Sequence, residues 1–247
     1  MFALETLSKR YDTGVLALDG VNAEIAPGEF VALLGPSGCG KSTLLRLLAG
    51  LEAPSAGRVA WDGHTGAPAP GEIGFVFQDA TLLPWASAAE NVYLPLKLRH
   101  VARREAAPKI AAALAQVGLS EFAGTRPKGL SGGMRMRVSI ARALVSEPIL
   151  LLMDEPFAAL DEFTRHKLQD DLLALWARTG KTIVFVTHSI YEAAYLANRI
   201  LVMSPRPGRV AADLQARLPQ GPHRRASGEY VALVERITAC FREIMPT

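Results

Sequence analysis

A chain of 247 residues with a net charge of +3 is long enough for one large domain, or for a domain with a subdomain. Its 49% hydrophobic and 21% charged residues are typical of a globular protein and exclude a disordered chain. No dense run of Lys and Arg is present, so nucleic acid is not expected as a partner, and Arg224-Arg225 is interpreted as solvated surface. Two cysteines are too few for a disulfide framework, which favours a reducing compartment. The sequence shows neither a signal peptide nor an apolar run of the roughly 20 residues that span a bilayer, so we expect a soluble, cytoplasmic protein.

The first part of the chain predicts alternating strands and helices. "EFVALLG" is a short apolar run that predicts a buried strand, and "KSTLLRLLAG" has leucines at helical spacing. "GRVAWDG" predicts a strand in an edge sheet that ends in the turn pair Asp62-Gly63, and 65–71 is a Pro/Gly loop. "EIGFVFQ" predicts another strand, ending at Gln78.

From Asp79 to about Leu130 the pattern changes, because "SAAENVYLPLKLRH" and "REAAPKIAAALAQVGL" predict helices without intervening strands. Alternation then returns: a helix in "SGGMRMRVSIARALVSEP" precedes the apolar strand "ILLLMDEP", a further helix, the strand "TIVFVTH" and another helix. "RILVMSPRPGRVAAD" predicts a terminal hairpin, and "YVALVERITACFREIM" predicts a terminal helix. Such alternation predicts an α/β fold with a mostly parallel sheet covered on both faces.

"GPSGCGKST" places Gly35, Gly40, Lys41 and Ser42 in the pattern GxxxxGK[ST], after a predicted strand and at the start of a predicted helix. Glycines let backbone N–H groups approach a β-phosphate, and the helix N-terminus adds a positive dipole. Lys41 would reach the β- and γ-phosphates, and the Ser42 hydroxyl would ligate Mg²⁺. A chance glycine turn is the alternative, and the strand–loop–helix context argues against it. The pattern therefore predicts a nucleotide-binding loop.

Four polar residues follow three predicted strands. Asp154 and Glu155 end "ILLLMDEP", where Asp154 would hold Mg²⁺ and Glu155 would activate a water, although an acidic pair can also cap a turn. His188 ends "TIVFVTH" and is interpreted as a γ-phosphate contact, the alternative being a structural hydrogen-bond donor. Gln78 would bridge Mg²⁺ or the attacking water. Because the carboxyl ends of strands in such sheets face one crevice, we expect these residues to converge there.

Together these segments resemble the ATPase subunit of an ATP-binding cassette (ABC) transporter over nearly the whole chain. "GPSGCGKST" resembles the Walker A motif, "FQ" the Q-loop, "LSGGM" the signature, "LLLMDEP" Walker B, "AALD" the D-loop and "VTH" the switch histidine, in the family's order. The resemblance implies a P-loop NTPase (RecA-like) core with an N-terminal antiparallel β subdomain and an inserted helical subdomain. It implies a core and β subdomain at 1–78 and 136–210, a helical signature subdomain at 79–135 and a helical tail at 211–247.

The resemblance also implies a role for each matching residue. Glu155 is the expected general base, and His188 contacts the γ-phosphate. The Mg²⁺ ligands are expected to be Ser42, Gln78 and Asp154. Tyr11, in "SKRYDTG", matches the aromatic that stacks on adenine, although a tyrosine before the first strand could simply be packing. The residues expected to bind ATP are Tyr11, Gly35, Pro36, Ser37, Gly38, Cys39, Gly40, Lys41, Ser42, Thr43, Ser131, Gly132, Gly133 and Asp161.

"LSGGMRMR" raises the question of why one chain carries a second anion-binding pattern. In the family it resembles, Ser131, Gly132 and Gly133 grip the γ-phosphate of ATP bound to a second copy of the chain, and Asp161 communicates across that dimer interface. The binding groups are the Ser131 hydroxyl and backbone N–H groups at a helix start. Met134, in place of the commoner glutamine, does not supply them and is expected to be tolerated. The stretch predicts a head-to-tail dimer with two composite sites.

The resemblance further implies integral membrane permease subunits, an external solute-binding protein and a location at the cytoplasmic face of the cell membrane. "QDATLLPW", "LSGGMR" and "SPRPGRV" resemble the nitrate, sulfonate and taurine importer branch. The candidate permease contact is Leu82, Leu83, Pro84 and Trp85; alternatively, Trp85 packs inside the helical insert. Two other functions remain open: a soluble cassette ATPase of repair or translation, which usually has two fused cassettes, and a P-loop kinase, which would leave "LSGGM" without a role.

Overall fold

The computed structural model describes residues 1–61, 64–65, 69, 71–219, 221 and 223–244. These residues form two compact units, one of Met1–Pro68 with Thr182–Thr247 and one of Ala69–Lys181. The predicted Asp62-Gly63 turn and most of the predicted loop at 65–71 lie outside the described residues. The subdomain boundaries given above remain a prediction.

The first unit contains an antiparallel sheet in the order β2-β1-β4-β5. Its strands are β1 (Phe2–Arg10), β2 (Leu16–Ile25), β4 (Ala56–Trp61) and β5 (His64–Thr65). Alternate residues such as Phe2 and Leu4 of β1 are buried, which is the period of a sheet with one covered face. The antiparallel β subdomain expected near the N-terminus is therefore confirmed.

A second group of strands in this unit has the order β10-β9-β3-β8, in which β3 pairs in parallel with β8 and β9. These strands are β3 (Phe30–Leu34), β8 (Thr182–Thr187), β9 (Arg199–Met203) and β10 (Val210–Gln215). Every residue of β3 and β8 is buried, as their continuous apolar runs predict for a sheet covered on both faces. The predicted hairpin is confirmed as β9 and β10, which pair antiparallel.

Three α-helices accompany these strands in the described part of the first unit: α1 (Lys41–Leu48), α6 (Ile190–Leu196) and α7 (Gly228–Ile244). Helix α6 packs on β3 and β8, and α7 packs on α6. Leu233 and Ile237, four residues apart on α7, are buried, so the terminal helix predicted from the sequence is confirmed. The interpretation of Arg224-Arg225 as solvated surface is wrong for Arg224, which is buried and donates to the Tyr195 carbonyl at 2.7 Å.

The second unit pairs β6 with β7 in parallel and is otherwise helical in its described residues. Its elements are β6 (Ile73–Val76), α2 (Ala88–Leu98), α3 (Arg103–Gln116), α4 (Gly132–Leu144), β7 (Leu150–Asp154) and α5 (Glu162–Thr179), with short 3-10 helices at Ser120–Phe122 and Pro127–Gly129. The helices predicted between Asp79 and Leu130 are confirmed. No helix among the described residues is long and apolar enough to cross a membrane.

The prediction that the strand "EIGFVFQ" reaches Gln78 is wrong. Strand β6 ends at Val76, which pairs with Met153 of β7, and Phe77 and Gln78 lie beyond it. Phe77 is 42% exposed, so its apolar character does not reflect a place in the buried sheet. Gln78 is therefore a loop residue two positions past the strand end.

Candidate nucleotide-binding and hydrolysis site

The glycine-rich loop connects the fully buried strand β3 to helix α1. Gly38 and Gly40 have φ of +76° and +106°, in the left-handed region that glycine adopts without steric penalty. Gly40 is the N-cap of α1, and no side chain caps the helix start. The first N–H groups of α1 therefore have no capping side chain, as at a helix terminus that binds an anion.

Lys41 is folded back over this loop. The residue is only 5% exposed, and its Nζ donates hydrogen bonds of 2.8 Å to the carbonyl oxygens of Gly35 and Pro36. The next polar atom is Cys39 Sγ, 3.9 Å from Nζ and a weak acceptor. Because an ammonium carries three N–H groups, the one directed at sulfur is available to a phosphate oxygen, which is a much stronger acceptor.

Cys39 is buried within the loop and only 1% exposed. Burial raises the pKa of its thiol, because the charged thiolate loses hydration, and the nearby Lys41 ammonium opposes this only in part. The thiol is consequently protonated at neutral pH and a poor nucleophile.

Tyr11 follows strand β1 rather than preceding the first strand, so that part of the sequence interpretation is wrong. Its hydroxyl lies 3.1 Å from Thr43 Oγ1 and 3.0 Å from Glu52 Oε2. Lys9 Nζ lies 5.3 Å from the centre of the Tyr11 ring. These contacts bring Tyr11 to the first turn of α1, beside the glycine-rich loop.

His188 directly follows β8, and the preceding Thr187 pairs with Leu34, the last residue of β3. The glycine-rich loop and His188 therefore follow the carboxyl ends of two neighbouring parallel strands and lie on the same side of the sheet. Thr187 Oγ1 donates to Glu192 Oε2 at 2.6 Å, and Ser189 caps α6 by accepting from the Glu192 N–H. These bonds fix the backbone on both sides of His188, whose own side chain is exposed.

The second unit holds the other predicted catalytic residues. Asp154 is the last residue of β7, and Glu155 follows it; both are half-buried. Val76 of β6 pairs with Met153 of the parallel strand β7. Gln78 and Glu155, each two residues further along, therefore lie past the carboxyl ends of these neighbouring strands on the same side. Glu155 has a φ of +45°, an unfavourable conformation for a residue with a side chain that costs about 1–3 kcal/mol. Such strain is concentrated at functional positions, which is consistent with the catalytic interpretation of Glu155.

The signature residues Ser131, Gly132 and Gly133 form the start of α4. Ser131 is the N-cap, and its Oγ accepts a hydrogen bond of 3.3 Å from the Met134 N–H. A Cβ added to Gly133 would lie 2.3 Å from Cγ2 of Thr164, so only glycine allows this approach to α5. Met134 contributes only its backbone to the cap.

Asp161 lies beside the signature because it caps α5 where α4 approaches. Its side chain accepts from the Thr164 N–H at 3.0 Å. Hydrogen bonding to the Thr164 side chain, and then to this N–H, lowers the pKa of the Asp161 carboxyl. The structure thus brings Asp161 together with Ser131, Gly132 and Gly133 in the second unit.

The candidate permease contact is an exposed loop with a rigid base. Trp85 is 70% exposed, so the alternative that it packs inside the helical insert is wrong. The fully buried Asn91 holds this loop: its Oδ1 accepts from the Leu83 N–H at 2.7 Å, and its Nδ2 donates to the carbonyls of Leu83, Ala86 and Ser87. Arg142 donates to the carbonyls of Ala80 and Thr81. Neither residue was predicted from the sequence; a polar asparagine within an otherwise apolar helix face was the available signal for Asn91.

Comparison with known proteins identifies the family. The sequence profile described as "ABC transporter" matches residues 18–158, more than half of the chain. A taurine import ATP-binding protein of Rhizobium johnstonii is 52% identical over 82% of this chain and 78% of its own length. An aliphatic sulfonates import ATP-binding protein of Xanthomonas axonopodis pv. citri is 46% identical over 90% of this chain and 88% of its own length.

Solved structures agree with this family assignment. The ATP-binding cassette MJ0796, a dimer bound to ADP and phosphate in a post-hydrolysis state, superposes with a TM-score of 0.76 at 36% identity, covering 88% of this chain and 99% of that one. CbiO1 of Clostridium perfringens superposes with a TM-score of 0.80 at 29% identity, covering 98% of this chain and 96% of its own. The expected P-loop α/β fold is confirmed, and the chain belongs to the ABC transporter family as one of its ATP-binding proteins.

Proposed function

We propose that this chain hydrolyses ATP to drive import of a small sulfonate-type anion, such as taurine or an aliphatic sulfonate, through a separate membrane permease. The observation that carries the proposal is that relatives 46–52% identical over more than four fifths of the chain are named as taurine or sulfonate import ATP-binding proteins. Nitrate, the third anion class of the resembled branch, is the alternative solute. The protein would lie at the cytoplasmic face of the cell membrane, held there by the permease.

The proposed hydrolysis uses the residues that the resemblance assigns to it. Backbone N–H groups of Gly35–Thr43 and the Lys41 ammonium bind the β- and γ-phosphates, and Tyr11 stacks on adenine. Glu155 accepts a proton from water as the water oxygen bonds to the γ-phosphorus, the bond from that phosphorus to the bridging oxygen breaks, and ADP leaves with the electron pair. His188 donates a hydrogen bond to the γ-phosphate, which stabilises its developing negative charge.

Mg²⁺ would be held by Ser42, Gln78 and Asp154. Their hydroxyl, amide and carboxylate oxygens are the hard donors that Mg²⁺ prefers. No group of three or more His, Cys, Asp or Glu side chains suited to a metal occurs in the described part of the chain. Mg²⁺ typically takes few protein ligands and completes its shell with water and phosphate oxygens. When bound, the ion neutralises phosphate charge.

The second anion-binding segment, Ser131 to Gly133, is proposed to serve ATP bound to a second copy of the chain. It lies at the start of a 13-residue helix, where backbone N–H groups and the positive dipole end are directed at an anion. The cassette MJ0796, which resembles the chain, forms a dimer in two solved structures. The proposed working unit is therefore a symmetric pair in which each chain completes the other's site, and Asp161 lies near the boundary between them.

The exposed loop Leu82–Trp85 is proposed to contact the permease. An indole that is 70% exposed on a loop fixed by buried hydrogen bonds is a rigid apolar anchor of the kind that dominates protein interfaces. Movement of the permease would then act on Gln78, four positions before Leu82 in the chain, and through it on the site of hydrolysis. The solute-binding protein would interact with the permease only, and so indirectly with this chain.

A transport assay tests the proposed function. The gene is deleted in the native cell, and uptake of labelled taurine, ethanesulfonate and nitrate is measured after complementation with wild-type, E155Q or W85A chains. The proposal predicts that wild type restores uptake of a sulfonate, that E155Q restores none, and that W85A restores less at equal expression. If deletion abolishes only nitrate uptake and the wild-type chain restores it, nitrate is the solute. If deletion leaves uptake of all three anions unchanged, the import function is rejected.

ATP turnover by the purified chain separates ATPase from kinase activity. Turnover without any added acceptor supports the ATPase, whereas strict dependence on a small-molecule acceptor would indicate a P-loop kinase. A role in repair or translation would leave uptake normal in the deleted strain.

A further inference from the structure

The turn that joins β9 to β10, Ser204–Arg209, lies against the outer side of the glycine-rich loop. Arg206 donates two hydrogen bonds to one acceptor, the carbonyl oxygen of Gly38, from Nε at 3.0 Å and from a terminal nitrogen at 2.9 Å. A guanidinium that places two N–H groups on one oxygen fixes that oxygen in direction as well as in distance.

The backbone of the turn is itself fixed. The Gly208 N–H donates to the Ala17 carbonyl at 2.9 Å, and the Gly208 carbonyl accepts from the Asp19 N–H at 3.1 Å. A Cβ at Gly208 would lie 2.0 Å from the Cys39 carbonyl oxygen, so the turn contacts the loop backbone directly. Ser204 Oγ accepts from the Arg209 N–H at 3.0 Å and closes the turn. Arg206 therefore extends from a rigid support.

Fixing the Gly38 carbonyl determines where the next N–H points. In a planar trans peptide the C=O of Gly38 and the N–H of Cys39 point in opposite directions. The Cys39 N–H is directed at the Pro36 carbonyl, 3.4 Å away, the same oxygen that accepts from Lys41 Nζ. This N–H and the Lys41 ammonium thus face the same inner side of the loop. The hydrogen bond from the Cys39 N–H is long at 3.4 Å, and glycine at position 38 permits the peptide to rotate, so the loop alone holds this direction only weakly.

We propose that Arg206 is a positioning residue for the phosphate-binding loop, which holds the Gly38–Cys39 peptide so that its N–H faces the β-phosphate. The proposal rests on the proposed role of Gly35–Thr43 in binding the phosphates. Arg206 acts through the backbone and makes no contact with the nucleotide. Binding of the β-phosphate in both the ground state and the transition state depends on it, so its loss raises KM and leaves kcat nearly unchanged.

The test compares R206Q and R206K with R209Q, a matched control in the same turn. Arg209 pairs with Asp19 and does not contact the glycine-rich loop in any hydrogen bond described here. Calorimetry gives the Kd for ADP, steady-state assays give KM and kcat for ATP, and thermal melting without nucleotide gives Tm. We expect R206Q to raise the Kd for ADP and the KM for ATP about tenfold, the effect of a charged hydrogen bond. R206K keeps the charge and a single donor group, so its Kd for ADP and KM for ATP should lie between those of R206Q and wild type. R209Q should have the wild-type Kd and KM.

An R206Q chain with the Kd and KM of R209Q would overturn the proposal. A lowered Tm with kcat and KM changed in both Arg206 variants to the same extent would also overturn it, because that pattern indicates a purely structural contact. A K41A variant distinguishes an error about Arg206 from an error about the glycine-rich loop itself. If K41A binds ADP with the wild-type Kd, the loop is not the phosphate site. If K41A loses binding while R206Q retains it, only the role of Arg206 is rejected.

Discussion

At the scale of single residues, the local environment decides which chemistry each side chain can perform. Lys41 is buried and held by two carbonyl oxygens, so its ammonium is fixed in the loop instead of moving in solvent. Glu155 is placed by a strained backbone at the end of a buried strand. Cys39 lies in the same loop as Lys41, yet burial raises the pKa of its thiol and makes it a poor nucleophile at neutral pH.

Cys39 gives a prediction with a defined pH dependence. In a C240S chain, maleimide should modify Cys39 slowly at pH 7, and the rate should rise about tenfold per pH unit as pH approaches the raised pKa of the thiol, because only the thiolate reacts. Modification should abolish ATP hydrolysis, and saturating ADP should protect the thiol. The rate is followed by mass spectrometry. A rate at pH 7 equal to that of a free thiol, or one unaffected by ADP, would contradict the placement of Cys39 inside the loop.

Residue-level predictions from sequence succeed where spacing carries the chemistry and fail where a contact joins distant parts of the chain. The pattern GxxxxGK[ST] identifies the loop because strand, glycines and lysine are contiguous. Arg206 and Gly38 are 168 positions apart, and Arg142 lies 61 positions from Thr81. No local period or propensity encodes such a pair, so the residues that support the loops could not be predicted before the structure was known.

At the scale of elements, continuous apolar runs predicted the buried strands well. Strands β3, β7 and β8 are short apolar runs, and a fully buried parallel strand needs no alternation. The end of β6 was predicted two residues too late because Phe77 continues the apolar run while being exposed. Strand ends depend on where the partner strand stops, and this information lies elsewhere in the sequence.

Asn91 tests how the loop that carries Trp85 is supported. N91A removes four hydrogen bonds from a fully buried site and leaves polar backbone atoms without partners. We expect a loss of about 2–3 kcal/mol in the free energy of unfolding, measured by urea titration of the chain. W85A is the control, because truncating an exposed side chain changes stability by less than about 0.5 kcal/mol. Equal stability of N91A and W85A would show that Asn91 does not support the loop.

At the scale of the whole molecule, the sequence carries two segments that we propose bind anions, and the roles proposed for them require a pair of chains. The glycine-rich loop lies in the first unit, and the signature residues lie in the second. Sequence order and motif content predicted the fold class and the family, both of which are confirmed.

The most direct test of the account is ATP-dependent pairing of hydrolysis-deficient chains. E155Q should keep ATP binding, lose about 10²- to 10⁴-fold in turnover, and accumulate as a dimer with ATP. Adding S131R places a bulky side chain at the proposed contact with the partner's phosphate, while leaving each chain's own phosphate-binding loop intact. Size exclusion with light scattering, supported by calorimetric ATP binding and by Tm, should show E155Q as a dimer only with ATP and E155Q/S131R as a monomer that still binds ATP. A folded E155Q/S131R chain that dimerises as E155Q does, or an E155Q chain that binds ATP and stays monomeric, would contradict the composite site.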